Sequence, residues 1–200
     1  MKKISLLLLV FIPFFLTAQK QEIKDRFAEY TQNGYYKEDG NNIVVSRVIE
    51  NLKGDKNSIY IAVKNYFTRA YNSANDVLQT DDKESGVIIG KGYYKHMYLG
   101  RTLGVVSTYL NAYHILRIDI KDGRLRAICS IDQVEVYNGQ NHHLKDVNVF
   151  NYAPFTDKRY FDKGRQMEAF LSIVDRMTQS INMLEESIKS GVITGESDSW

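Results

Sequence analysis

The clearest pattern in the chain runs from Tyr113 to Tyr137, YHILRIDIKDGRLRAICSIDQVEVY, where apolar and polar residues alternate on either side of Asp122-Gly123. A two-residue Asp-Gly loop between alternating segments is a strong hairpin signal, because both turn positions favour φ > 0. Counting outward from that turn sets Lys121 opposite Arg124, Ile120 opposite Leu125, Asp119 opposite Arg126, Ile118 opposite Ala127 and Leu116 opposite Cys129. One face then carries Leu116, Ile118, Ile120, Leu125, Ala127, Cys129 and Ile131. The other carries Arg117, Asp119, Lys121, Arg124 and Arg126. The first is core, and the second faces water or a ligand. The apolar parity flips between Ile131 and Val134, which predicts a β-bulge near Asp132 or Gln133.

The rest of the chain is read outward from this hairpin. Gln19 to Asn42 has weak periodicity (Ile23, Phe27, Tyr30) and then Asn33-Gly34 and Asp39-Gly40, a short helix followed by a loop. Ile43 to Glu50 is a strand rich in β-branched residues. Asp55 or Asn57 caps a helix whose Ile59, Ala62, Val63, Tyr66, Phe67 and Ala70 form one apolar stripe. Asp76 to Thr80 and Gly86 to Tyr98 read as strands around the polar turn DDKES. Leu99 to Ala112 fits either an extension of that strand or an insertion, and the insertion is the favoured reading. Asn138 to Tyr160 lacks periodicity and reads as a long loop. Asp162 to Lys189 is helical, with Met167, Val174, Ile181 and Ile188 on one heptad track and Phe170, Met177 and Leu184 on another. These tracks either cover the sheet or form a homodimer seam. The tail from Gly191 to Trp200 is polar.

The predicted class is α+β, in the order β-α-β-β-β-β-α: an antiparallel sheet with both helices on one face, in a single domain over residues 19–190. Residues 1–18 stand apart. Lys2 and Lys3, an apolar run from Ile4 to Leu16, and Thr17-Ala18 have the sections of a secretory signal peptide cut after Ala18. The run of about 13 residues is short of the ~20 needed to span a bilayer, so the chain is read as exported (periplasmic, envelope-associated or secreted) and not as an integral membrane protein.

Charge narrows the partners. Of 26 Lys and Arg residues, two lie in the leader, so 24 face 24 acidic residues in the mature chain. A neutral exported protein lacks the excess of cations that drives nucleic-acid binding. The one cysteine, Cys129, has the parity of the inward face and reads as a small buried hydrophobe, so no internal disulfide supports the fold.

No catalytic residue, metal site or cofactor is assigned. Gly86 to Gly92, GVIIGKG, lacks the spacing and the Ser or Thr of a Walker loop, and its glycines suit a strand that bends or another backbone coming close. His142, His143 and Asp146, with His96 and His114 elsewhere, have no supporting metal-ligand spacing. His114 has inward parity and reads as a hydrogen-bonded residue at the core edge. The strongest candidate for function is the open face of the sheet. Tyr113, Arg117, Asp119, Lys121, Arg124 and Arg126 form a mixed basic and apolar surface for a protein, peptide or glycan ligand, with Tyr93, Tyr94 and Tyr98 on the neighbouring strand. A hydrolase-type envelope enzyme and a structural protein that self-assembles through the last helix are the alternatives.

Several of these letters carry a resemblance. Tyr60 in the first helix, Tyr66-Phe67 toward its end, Val77-Leu78-Gln79, the run Asp82 to Gly92 (DKESGVIIGKG) and the Asp-Gly hairpin arrive in an order that resembles an exported bacterial family of unknown function with a TATA-box-binding-protein-like (TBP-like) fold. The resemblance covers about residues 43–137. The chain departs from it in having Tyr66 or Phe67 where the family has Trp, and in the segment from Leu99 to Ala112. It implies the fold and no activity, because function belongs to sites rather than folds.

Overall fold

The computed structural model describes residues 21–71, 77–102, 104–149 and 163–191. The leader, the tail after Gly191 and the part of the predicted loop from 150 onward lie outside them. In chain order the elements are α1 (residues 21–32), β1 (Lys37–Asp39), β2 (Asn42–Ile49), α2 (Lys56–Ala70), β3 (Leu78–Asp82), β4 (Val87–Thr102), β5 (Val105–Lys121), β6 (Arg124–Ile131), β7 (Gln133–Asn138), β8 (His143–Asn148) and α3 (Lys163–Gly191).

All pairings are antiparallel, with β1-β2-β6-β5-β4-β3 side by side and β7 lying between β5 and β8. The β5–β6 register matches the one counted from Asp122-Gly123, with Asp119 opposite Arg126 and Leu116 opposite Cys129. The predicted bulge is present as well. From Ile115↔Ser130 to Asn111↔Glu135, β5 advances four residues while the opposite chain advances five, and the extra residue falls at Asp132-Gln133. Val134 and Val136 thereby return to the core side.

Two sequence expectations are corrected. Leu99 to Ala112 is not an insertion but the far half of the β4–β5 hairpin, paired from Tyr98↔Leu110 to Thr102↔Val105. A second bulge hid it: between Tyr94↔Ala112 and Tyr98↔Leu110 β4 spends four residues against two, with His96 at φ 52 and its N–H donating to Asn111 Oδ1 at 2.8 Å. The segment after Asn138 is not loop throughout, because β8 pairs with β7. The three-residue β1 was also not anticipated.

The core is the single face covered by α2 and α3. Asp55 is the cap of α2, its carboxylate accepting from Ser58 N–H at 2.8 Å. The helix buries Ile59, Tyr60, Val63, Tyr66 and Phe67. On α3, Val174, Ile181, Ile188, Phe170, Met177 and Leu184 are all buried. Full burial of each such side chain is worth about 1.5–3 kcal/mol, so both heptad tracks, apart from the half-buried Met167, are spent against this chain's own core. α1 adds Phe27 edge-on to Phe170, with ring centroids 5.9 Å apart. Among the described residues no helix is long and apolar enough to cross a membrane.

Gly90 and Gly92 make room for rings rather than for a bend or another backbone. A Cβ on Gly90 would lie 2.3 Å from Phe67 Cε1, and one on Gly92 would lie 2.4 Å from His114 Cε1.

Candidate ligand-binding face

Because both long helices cover one side, alternate residues of β2, β6, β5 and β4 stand on the other side in cross-strand rows. One row is Val48, Arg126, Asp119 and Val87; the next is Ser46, Ile128, Arg117 and Ile89; the next is Val44, Ser130, Ile115 and Lys91. Beyond them come Tyr113 opposite Tyr93, then Asn111, Glu135 and Asp146. All six residues proposed from sequence are therefore on this face, as their parity requires.

The face divides into two sites. At the hairpin end, Asp119 is shared by two arginines: Arg117 Nε donates to Oδ1 at 2.8 Å, and Arg126 Nε and Nη2 donate to Oδ2 at 3.0 and 2.6 Å. Lys121 and Arg124 face each other across the turn and have no ion pair among the described residues. Val48, Asp119, Lys121, Arg124 and Arg126 are among the residues lining a recess of about 220 Å³. Four cations surround one carboxylate, so the end keeps a net positive charge although Asp119 neutralises part of it.

Tyr113 belongs to the second site. At about 3.4 Å per residue it lies roughly 27 Å along β5 from Lys121. The bulge at Asp132-Gln133 turns β7 and β8 away from the line of β6 and β2, and a cavity of about 450 Å³ opens in the angle. Tyr113, Lys91, Gln133, Asp132, Glu135 and Asp146 are among its lining residues. The Lys91 ammonium sits over the Tyr113 ring, 4.5 Å from its centroid, and Tyr93 leans against the same ring at 4.7 Å with an interplanar angle of 50°. Glu135 Oε2 accepts from the hydroxyls of Tyr93 and Tyr137, the latter at 3.2 Å. Burial, and then the Glu135 carboxylate that holds its proton, push the Tyr93 phenol far up. Asp146 Oδ1 meets His143 Nε2 at 2.8 Å. The parity flip at Ile131 was the one trace of this cavity in the sequence; its far wall, β8, had none.

Other candidates lie elsewhere. Tyr94 is on the core side, its hydroxyl 2.5 Å from Ser180 Oγ. His114 is 2% exposed, stacked on Tyr94 with centroids 3.7 Å apart and with Nε2 3.0 Å from the Tyr71 hydroxyl. Burial, reinforced by Arg176, holds it down to about 4, so it is the neutral imidazole at neutral pH. Cys129 is fully buried, and burial pushes its thiol up to about 12. No group of three or more His, Cys, Asp or Glu suited to a metal occurs among the described residues.

Residues 46–130 match the family model described as a domain of unknown function (DUF4468) with TBP-like fold. That stretch of the chain is similar to the DUF4468 family. The chain's architecture is similar to a solved TBP-like protein from Parabacteroides distasonis, with 13% identity, a TM-score of 0.56, and 75% of this chain and 96% of that one covered. It is also similar to a DUF4468 family protein from Bacteroides ovatus, with 13% identity, a TM-score of 0.55, and 78% and 91% covered. At that identity the likeness is one of fold. No curated protein matches the chain.

The DKESG run that carried the resemblance builds the scaffold and not the open face. Asp82 Oδ1 accepts from Ser85 N–H at 3.0 Å, and the Glu84 carbonyl takes Lys56 Nζ at 2.6 Å. Gly86, at φ 77, passes its carbonyl to Ile120 N–H at 2.8 Å. Lys56 N–H in turn donates to Asp122 Oδ1 at 2.8 Å, so this turn, the start of α2 and the Asp-Gly hairpin lock one another.

Proposed function

We propose that the protein is an exported, non-catalytic binding domain that receives an acidic peptide segment of a partner protein on the hairpin end of its open sheet face. One observation carries this reading: Arg117 and Arg126 hold the single carboxylate of Asp119 while Lys121 and Arg124 stand beside it without an ion pair, at a recess that Val48 helps to line, on a face that no described helix covers. A carboxylate partner finds the Arg124 guanidinium and the Lys121 ammonium there without an ion pair, and its apolar stem finds Val48, which is 51% exposed. The leader pattern of residues 1–18 supports export. The burial of His114 and of the Cys129 thiol supports a non-catalytic role, and the burial of both α3 tracks weighs against assembly through that helix. The TBP-like fold carries no DNA binding with it, since a neutral mature chain offers no phosphate-neutralising excess of charge.

The test uses the mature chain, a labelled glutamate-rich peptide and fluorescence polarisation. Lys121→Glu with Arg124→Glu changes two cations that have no ion pair to lose, so the fold is kept. Affinity should fall by about tenfold or more, and binding by the unchanged chain should weaken with salt. Unchanged affinity in this double variant removes the face from consideration. Protein recovered from the envelope of a host expressing the whole chain should begin at Gln19.

A further inference from the structure

The cavity at the kink of the open face has a chemistry opposite to that of the hairpin end. Three carboxylates, Asp132, Glu135 and Asp146, line it against one ammonium, Lys91. Lys91 forms no ion pair with any of them among the described residues; its charge rests instead on the Tyr113 ring, 4.5 Å from the centroid. The ring is thus already a cation platform; Asp132 and Glu135 have no ion pair among the described residues, and Asp146 has only the His143 ring, at 2.8 Å. Glu135 is held in place by two phenol hydroxyls on Oε2 and lines the cavity. A pyranose would need an open flat ring face. Here one face is occupied by Lys91, and Tyr93 is tilted against the ring at 50°.

We infer that this cavity binds a primary ammonium group on a flexible alkyl stem, seated between Tyr113 and the Asp132, Glu135 and Asp146 carboxylates. About 450 Å³ accommodates a lysyl side chain or a short free amine together with water. Lys91 acts as the internal competitor, occupying the ring when no ligand is present. The inference is independent of the acidic-peptide reading, whose residues lie at the other end of β5.

The experiment is isothermal titration of the mature chain with two probes, cadaverine and an end-blocked Gly-Lys-Gly peptide, with the ε-acetylated peptide as control. Saturable binding of either amine in the millimolar range or tighter is expected, and the one preferred identifies the source as a free amine or a peptide side chain. Acetylation should abolish it. Tyr113→Ala, at a side chain 51% exposed, should weaken binding about tenfold, and Asp132→Asn with Asp146→Asn should weaken it at least as much. Lys91→Met, which frees the ring and removes the repelling charge, should tighten it by about threefold to tenfold. Lys121→Glu with Arg124→Glu should leave amine binding intact even where it abolishes peptide binding. The inference fails if neither amine saturates, if the acetylated peptide binds equally, if Lys91→Met weakens binding, or if the hairpin-end variant abolishes it.

Discussion

Replacing Gly92 with alanine puts a methyl carbon 2.4 Å from His114 Cε1 and 2.5 Å from Tyr71 Cε1. Gly92 is not in the left-handed region, so the backbone itself accepts alanine and the whole effect is steric. Ordinary carbon contacts begin near 3.5 Å, so both rings must retreat by about 1 Å. Neither is free to do so. His114 is stacked at 3.7 Å on Tyr94, whose hydroxyl is tied to Ser180, and Tyr71 lies parallel to Phe67 with centroids 5.7 Å apart. Moving the rings apart also strains the 3.0 Å contact between the Tyr71 hydroxyl and His114 Nε2. Overpacking costs about 1–3 kcal/mol and a lost hydrogen bond about 1 kcal/mol, while alanine returns roughly 0.5–1 kcal/mol over glycine in a strand. The net is about 2 kcal/mol, or roughly 4–8 °C in a domain of this size. Urea unfolding and calorimetry of the mature chain measure it. Gly100→Ala is the control on the same strand: its closest contact is 2.5 Å to Thr108 Oγ1, the end of a side chain that rotates, and its cost should stay below about 1 kcal/mol. The reasoning is refuted if Gly92→Ala is as stable as the unchanged chain, or more stable than Gly100→Ala.

Two further outcomes follow from the same buried cluster. His114 is held down to about 4 in the folded chain, against about 6.5 unfolded, so its contribution is complete above pH 6.5 and is lost as pH falls toward 4, by about 3 kcal/mol at the limit; His114→Gln should flatten that part of the stability–pH curve, and an unchanged slope would show that other groups set it. Cys129, fully buried with its thiol pushed up to about 12, should react with a thiol reagent no faster than the chain unfolds, and rapid labelling of the native protein would contradict its place in the core.

What could be read from the letters depended on whether side-chain parity survived along the chain. The β5–β6 register was legible because a two-residue turn leaves no freedom, and the bulge because Ile131, Val134 and Val136 are all large enough to show the flip. The stripes of α2 and α3 were legible because a helix keeps its period across a whole buried face. The far half of the β4–β5 hairpin was not, because the bulge at Lys95 to Met97 breaks alternation just where glycines and exposed residues such as Leu99 and Val105 begin. β8 was hidden because His143, Leu144, Lys145 and Asp146 are all exposed, leaving no apolar face to alternate. The six residues of the open face were placed correctly by parity, but their division into two sites depends on β8 and on the angle at Asp132, which parity does not encode.

That angle also ties the cavity to the core. The segment matched to the family ends at residue 130, and Asp132, Gln133, Glu135 and Asp146 all lie after it. One wall of the cavity is supplied by the β7–β8 arm, which pairs with β5 where that strand runs on past Ile115 and its backbone needs a neighbour, and the same arm buries Val134 and Val136. Shortening that arm therefore removes a wall of the cavity and two core side chains together, so the compartment is inseparable from the packing that holds the fold.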